Sequence, residues 1–206
     1  MILYYAPHSC ALASHIALEA AGAKYQARRL DFRANEQRSP AYLAVNPKGR
    51  VPALVTDRGV ITETPAILAY IAQTHPDANL APLNDPFQFA QLQAFNSYLC
   101  ATVHVAHAHR IRGTRWADDE KSIAAMKKKV PQNMADCFSL IENEMFTGPF
   151  VFGETCTIAD IYLYTLGTWL EGDGVDIRQF PKIAEFQTRL KVDPAIVRVM
   201  AAQNSK

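Results

Sequence analysis

The stretch that decides the fold runs Asn46-Pro47-Lys48-Gly49-Arg50-Val51-Pro52-Ala53-Leu54-Val55. It turns at Asp57-Arg58-Gly59 and continues through Val60-Ile61 to Glu63-Thr64-Pro65-Ala66-Ile67. Asn-Pro and Lys-Gly are turn chemistry, and they feed a short apolar strand. Asp57 to Gly59 folds the chain back into Val60-Ile61, which reads as a hairpin. Thr64 before Pro65 reads as a helix start: a hydroxyl cap, then a proline whose missing N–H costs nothing in the first helical turn. The reading sets a proline-flanked strand edge beside a free helix N-terminus. Unpaired backbone groups at Val51 can pair with an extended peptide, and a helix start can hold a carboxylate. A small acidic peptide is the ligand this combination suits.

Working outward toward the N-terminus, Ile2 to Tyr5 is an apolar, aromatic run ended by a proline turn at Pro7. Ser9 or Cys10 opens a helix carrying Leu12, Ile16 and Leu18, and Gly22 stops it. Tyr25 to Asp31 reads as a second strand, so the spacing predicts a parallel pair joined by a crossover helix. Arg33 to Ser39 reads as a loop and Pro40 to Ala44 as a short helix. With the central stretch added, the order is βαβ then ββα, that of an α/β thioredoxin-like domain over residues 1–76.

Toward the C-terminus, the helix from Pro65 ends near Thr74. Pro76, Pro82 and Pro86 then mark a linker, residues 77–86. Residues 87–206 read as an all-α helical bundle domain. Its expected helices are Phe87 to Arg112, Asp118 to Met145, Thr157 to Glu171, Pro181 to Lys191 and Pro194 to Ala202. Ile158, Ile161, Tyr162, Leu166, Trp169 and Leu170 line one face of the third. Thr157-Ile158-Ala159-Asp160 is a capping box, assigned to folding, with a cap worth about 1 kcal/mol. Phe87, Tyr98 and Trp116 are read first as core aromatics and second as the lining of a substrate pocket.

Composition narrows the partners. A chain of 206 residues with 49% hydrophobic and 20% charged residues has enough apolar material for a real core. A net charge of +1 argues against nucleic acid, which selects for a strong basic excess. The start, Met1-Ile-Leu-Tyr-Tyr-Ala-Pro7, has neither a charged leader nor a long apolar run, so neither a signal peptide nor a membrane span is expected. The four cysteines are scattered without a Cys-x-x-Cys, which suits a reducing cytoplasm.

The run Asn46-Pro-x-Gly-x-Val51-Pro52 followed by Glu63-Thr64-x-Ala66-Ile67 resembles the glutathione-binding core of the cytosolic glutathione S-transferases. The resemblance implies a cis bond before Pro52, pairing of Val51 with the cysteinyl part of glutathione, and a γ-glutamyl end held by Glu63 and Thr64. The start Tyr4-Tyr5-x-Pro7-x-x-Cys10-x-Leu12-x-x-His15 resembles the bacterial beta class, which carries a cysteine at the position of Cys10. There the cysteine can form a mixed disulfide with glutathione. The same class implies that Asn96 and a histidine on the following turns, here His104 or His107, face the ligand. It also implies a homodimer, with a small hydrophobic electrophile bound against the helical domain.

Read by itself, Cys10 is either a reactive thiol at a helix N-terminus, where amide dipoles favour thiolate, or a small apolar residue packing the first helix. Ser9 is the alternative donor to a thiolate. Lys48 and Arg50 flank the peptide site and can meet a carboxylate. Asn96, Cys100, His104 and His107 fall on one stripe of a helix at spacings of four, four and three. The stripe lacks a carboxylate and any fixed metal signature, so no metal is expected. His15 reads as a hydrogen-bonded structural histidine. The expected activity is transfer of glutathione thiolate to an electrophile. Glutathione disulfide exchange at Cys10, and a non-catalytic glutathione-binding module, are the other readings of the same residues.

Overall fold

A computed structural model describes residues 1–204. Its contacts divide the chain into two units, residues 1–89 with the C-terminal helix, and Ala90–Leu190.

In the first unit, β1 (Ile2–Tyr5), α1 (Ala11–Ala20) and β2 (Gln26–Arg29) form the expected crossover, with Ile2 opposite Gln26 and Tyr5 opposite Arg29 in parallel. A four-residue helix, α2 (Pro40–Leu43), follows and is capped by Ser39, whose hydroxyl accepts from the Tyr42 amide. The hairpin is β3 (Ala53–Thr56) and β4 (Gly59–Thr62), and the sheet order is β2-β1-β3-β4. α3 (Thr64–Thr74) completes the βαβ-ββα order.

Two sequence expectations need correction here. First, β3 is an interior strand, paired antiparallel with β1 on one side and β4 on the other. The backbone beside Val51 is therefore not a sheet edge; it is the lead-in, because both ladders begin at Ala53. Second, Glu63 rather than Thr64 is the N-cap of α3, at φ 72°, and Thr64 is already helical and buried.

The last helix, α9 (Pro194–Asn204), packs on α1 and so belongs to the first unit rather than to the helical one. Its anchor is His15, which lies between the rings of Tyr5 and Tyr25 and takes a hydrogen bond from Gln203 Nε2 at 3.1 Å.

In the second unit, the long helix expected from Phe87 to Arg112 is broken in register. α4 (Pro86–Tyr98) passes through a π turn at Leu99–Val103 into α5 (His104–Ala108). A π turn accommodates one extra residue, so periodicity counted from Asn96 does not carry unchanged to His104 and His107. α6 (Glu120–Leu140) is capped by Asp119, which accepts from the Ser122 amide, and it too runs into a π turn, Ile141–Met145. α7 (Ile158–Gly167) is buried along its whole length, and α8 (Pro181–Lys191) closes the unit. Phe87 and Trp116 are exposed rather than core aromatics, and the Trp116 ring lies 4.2 Å from that of His109. Among the described residues, no helix is long and apolar enough to cross a membrane.

Candidate functional site

The site is built on the loop between α2 and β3. Asn46 is buried, and its Nδ2 donates to the Arg50 carbonyl at 2.7 Å while its Oδ1 accepts from the Lys48 amide at 3.2 Å. The Tyr42 hydroxyl donates to the same carbonyl at 2.6 Å. Two donors on one oxygen fix the backbone immediately ahead of Val51. Gly49 sits at φ 59°, and a Cβ there would meet the Gln37 carbonyl at 2.9 Å, so this turn admits only glycine. Val51 packs beside the small core of Leu30, Tyr42 and Ala53, and the Val51–Pro52 bond is cis. Asn46→Ala removes two hydrogen bonds and is expected to lower unfolding stability by about 1–3 kcal/mol. Urea denaturation measures it, with Asn46→Asp as the variant that keeps the acceptor.

Cys10 meets this loop from the other side. It occupies the N-cap position of α1, is 8% exposed, and its thiol donates to the Val51 carbonyl at 3.6 Å. The sulfur makes no capping bond to the first turn of α1. That work falls to Ser9, whose hydroxyl donates to the Ala6 carbonyl at 2.7 Å and accepts from the Ala11 amide at 3.3 Å. Ser9 is thus spent on the backbone turn, whereas Cys10 points at the segment expected to bind a peptide. The burial of Cys10 is not purely apolar, since its thiol donates to that carbonyl.

Glu63 and Thr64 stand at the α3 N-terminus. Lys48 reaches across from the loop, donating to Thr62 Oγ1 at 2.7 Å and forming an ion pair with Glu63 Oε1. No local pattern in the sequence signals this bridge, because its two residues lie 15 positions apart. Arg50 is exposed, and its carbonyl rather than its guanidinium is what the loop uses.

The remaining candidates lie in the second unit. Asn96 is sealed from solvent, and its amide nitrogen and oxygen make no hydrogen bond among the described residues. His107 Nδ1 pairs with Asp173 at 2.7 and 3.0 Å, and its ring stacks on Trp169 with centroids 4.1 Å apart. Arg110 Nε lies 3.0 Å from the same carboxylate. His104 meets Trp169 edge-on at 5.1 Å. His107 is therefore engaged in packing its own unit, through a carboxylate 66 residues away that helix spacing could not reveal. Among the described residues no group of His, Cys, Asp and Glu could hold a metal ion.

Comparison with known proteins gives the same assignment at both ends of the chain. Residues 1–73 match the glutathione S-transferase N-terminal domain and residues 107–203 the glutathione S-transferase C-terminal domain. Glutathione S-transferase GstA of Escherichia coli O157:H7 is 30% identical, with all of both chains covered. A glutathione transferase homologue from Sulfitobacter, solved with bound glutathione, superposes with a TM-score of 0.95 at 42% identity, covering 98% of this chain and 97% of that one. The bacterial beta-class enzyme of Sphingomonas chungbukensis gives 0.86 at 29% identity over 99% of each. With a thioredoxin-like sheet, both domains matched and a relative 30% identical over the full length of both chains, the chain belongs to the glutathione S-transferase family.

Proposed function

We propose that this transferase binds glutathione on residues 50–52 and the α3 N-terminus and transfers its thiolate to a small hydrophobic electrophile. The observation that carries this reading is the Cys10 thiol, 3.6 Å from the Val51 carbonyl beside the cis Val51–Pro52 bond. A peptide pairing with Val51 brings its own sulfur to the same place. Cys10 then donates its S–H to the incoming thiolate, holding it for attack on the electrophile's carbon, from which the leaving group departs with the bonding electrons. Glu63 accepts from the γ-glutamyl ammonium, and Thr64 with the amides of the first turn of α3 receives the neighbouring carboxylate. Arg50 adds a cation at the rim. A two-fold homodimer fits the family to which the chain belongs.

Two variants test the assignment. Glu63→Gln keeps the shape and removes one negative charge, so glutathione affinity by calorimetry is expected to fall about tenfold. Cys10→Ala is expected to keep glutathione affinity within about threefold while conjugation of an aryl halide drops. Undiminished turnover in Cys10→Ala removes the thiol from the mechanism, and unchanged affinity in Glu63→Gln moves the glutamyl end elsewhere.

A further inference from the structure

We propose that Lys48 is a positioning residue that pre-sets the Glu63 carboxylate to receive the ligand's ammonium. The inference rests on the glutathione reading above and assigns a role that reading does not contain. Glu63 caps α3 at a positive φ of 72°, a conformation non-glycine residues avoid, so the backbone sets the direction in which its side chain leaves the helix. Its side chain is 56% exposed, and a glutamate in that setting samples several rotamers in water. Lys48 removes this freedom. Its ammonium spans Thr62 Oγ1 and Glu63 Oε1, and its own amide is held by Asn46 Oδ1. The loop carrying Val51 and the turn carrying Glu63 and Thr64 are thereby tied by one side chain, 14 and 15 residues away along the chain.

A carboxylate has two oxygens and about four acceptor sites, so the ion pair on Oε1 leaves Oε2 able to accept from a second ammonium. Ordering the carboxylate before the ligand arrives lowers the entropy lost on binding. The alternatives differ in sign or in dependence. If Lys48 merely occupied the place of the ligand's ammonium, its loss would strengthen binding. If it attracted a ligand carboxylate directly, its effect would persist after Glu63 is neutralised.

The experiment is a calorimetric cycle with reduced glutathione and the full-length protein at low salt, where exposed charges are least screened. Lys48→Met is expected to weaken binding three- to tenfold, and Lys48→Arg to restore most of the loss. In a Glu63→Gln background, Lys48→Met is expected to change affinity less than twofold, the non-additivity expected of residues in contact. An analogue whose glutamyl amino group is replaced by hydrogen is expected to bind wild type and Lys48→Met alike. Unchanged or tighter binding in Lys48→Met overturns the proposal, as does an equal loss in the Glu63→Gln background. Wild type that fails to bind glutathione overturns the site reading itself, which sets the two failures apart.

Discussion

Asp160→Ala is expected to cost the protein about 3–5 kcal/mol of unfolding stability. The carboxylate is 0% exposed. Its Oδ2 accepts from the Thr157 amide at 2.8 Å and the Thr157 hydroxyl at 2.9 Å, while its Oδ1 accepts from the Val151 amide at 2.7 Å. Truncation leaves three donors buried without an acceptor, and each such orphan costs about 1–3 kcal/mol. Relief of the carboxylate's own desolvation offsets part of the sum. Asp160→Asn keeps the volume and one acceptor but turns an N–H toward a donor, so an intermediate loss is expected. Thr157→Ala, which leaves the Val151 bond in place, is expected to cost about 1–2 kcal/mol. Guanidinium melts of the three variants give the order. A loss below about 1 kcal/mol for Asp160→Ala would reduce the box to an ordinary helix cap.

That ordinary value is what the four residues suggest when read as sequence. A capping box is local, so Thr157 and Asp160 are visible at a spacing of three. The Val151 amide is not, because nothing in the pattern Phe150-Val151-Phe152-Gly153 says that its backbone turns back on the helix. The hairpin from Ala53 to Thr62 was legible for the same local reason: Asp57 to Gly59 is turn chemistry between two apolar runs. The position of Cys10 at the start of α1 was legible too. Side chains that reach across the chain were not. Lys48 on Glu63, Asp173 on His107 and Gln203 on His15 join residues 15, 66 and 188 apart. The π turn at Leu99–Val103 was equally hidden, since its residues have helical composition and only the hydrogen-bond register distinguishes it. Placing Glu63 at the cap of α3 also defeats propensity, because Thr64 is the better capping residue by type. A cap at positive φ that makes no capping bond is a local rule broken where the glutamyl end is proposed to bind.

The pairing of His15 with Gln203 leads to a pH dependence of stability whose sign is fixed by burial. His15 is 2% exposed between two tyrosine rings, and its Nδ1 accepts from Gln203, which requires the neutral ring. Burial lowers its pKa from 6.5 to about 4, although the nearby Glu19 carboxylate works the other way. Glu19 itself is held ionised, chiefly by Arg198 from α9 and also by the Tyr25 hydroxyl. A histidine whose folded pKa lies below its unfolded one contributes full stability above pH 6.5. It loses that contribution as the pH falls toward 4, because the unfolded chain takes up the proton first. The interval between 6.5 and about 4 corresponds to a loss on the order of 3 kcal/mol. Asp160 opposes it: burial outweighs its hydrogen bonds and raises its carboxyl to about 6, so its contribution falls as the pH rises through that value. The whole-protein curve is therefore flatter than either group alone would make it, and the informative quantity is a difference. Stability of wild type minus that of His15→Gln, from urea melts between pH 7.5 and 4, is expected to shrink by about 3 kcal/mol across the window, since the Asp160 contribution cancels. A difference that does not change with pH would mean that His15 is protonated in the fold without penalty. The junction of α1 and α9 would then have to be held by Arg198 and Glu19 rather than by the buried ring.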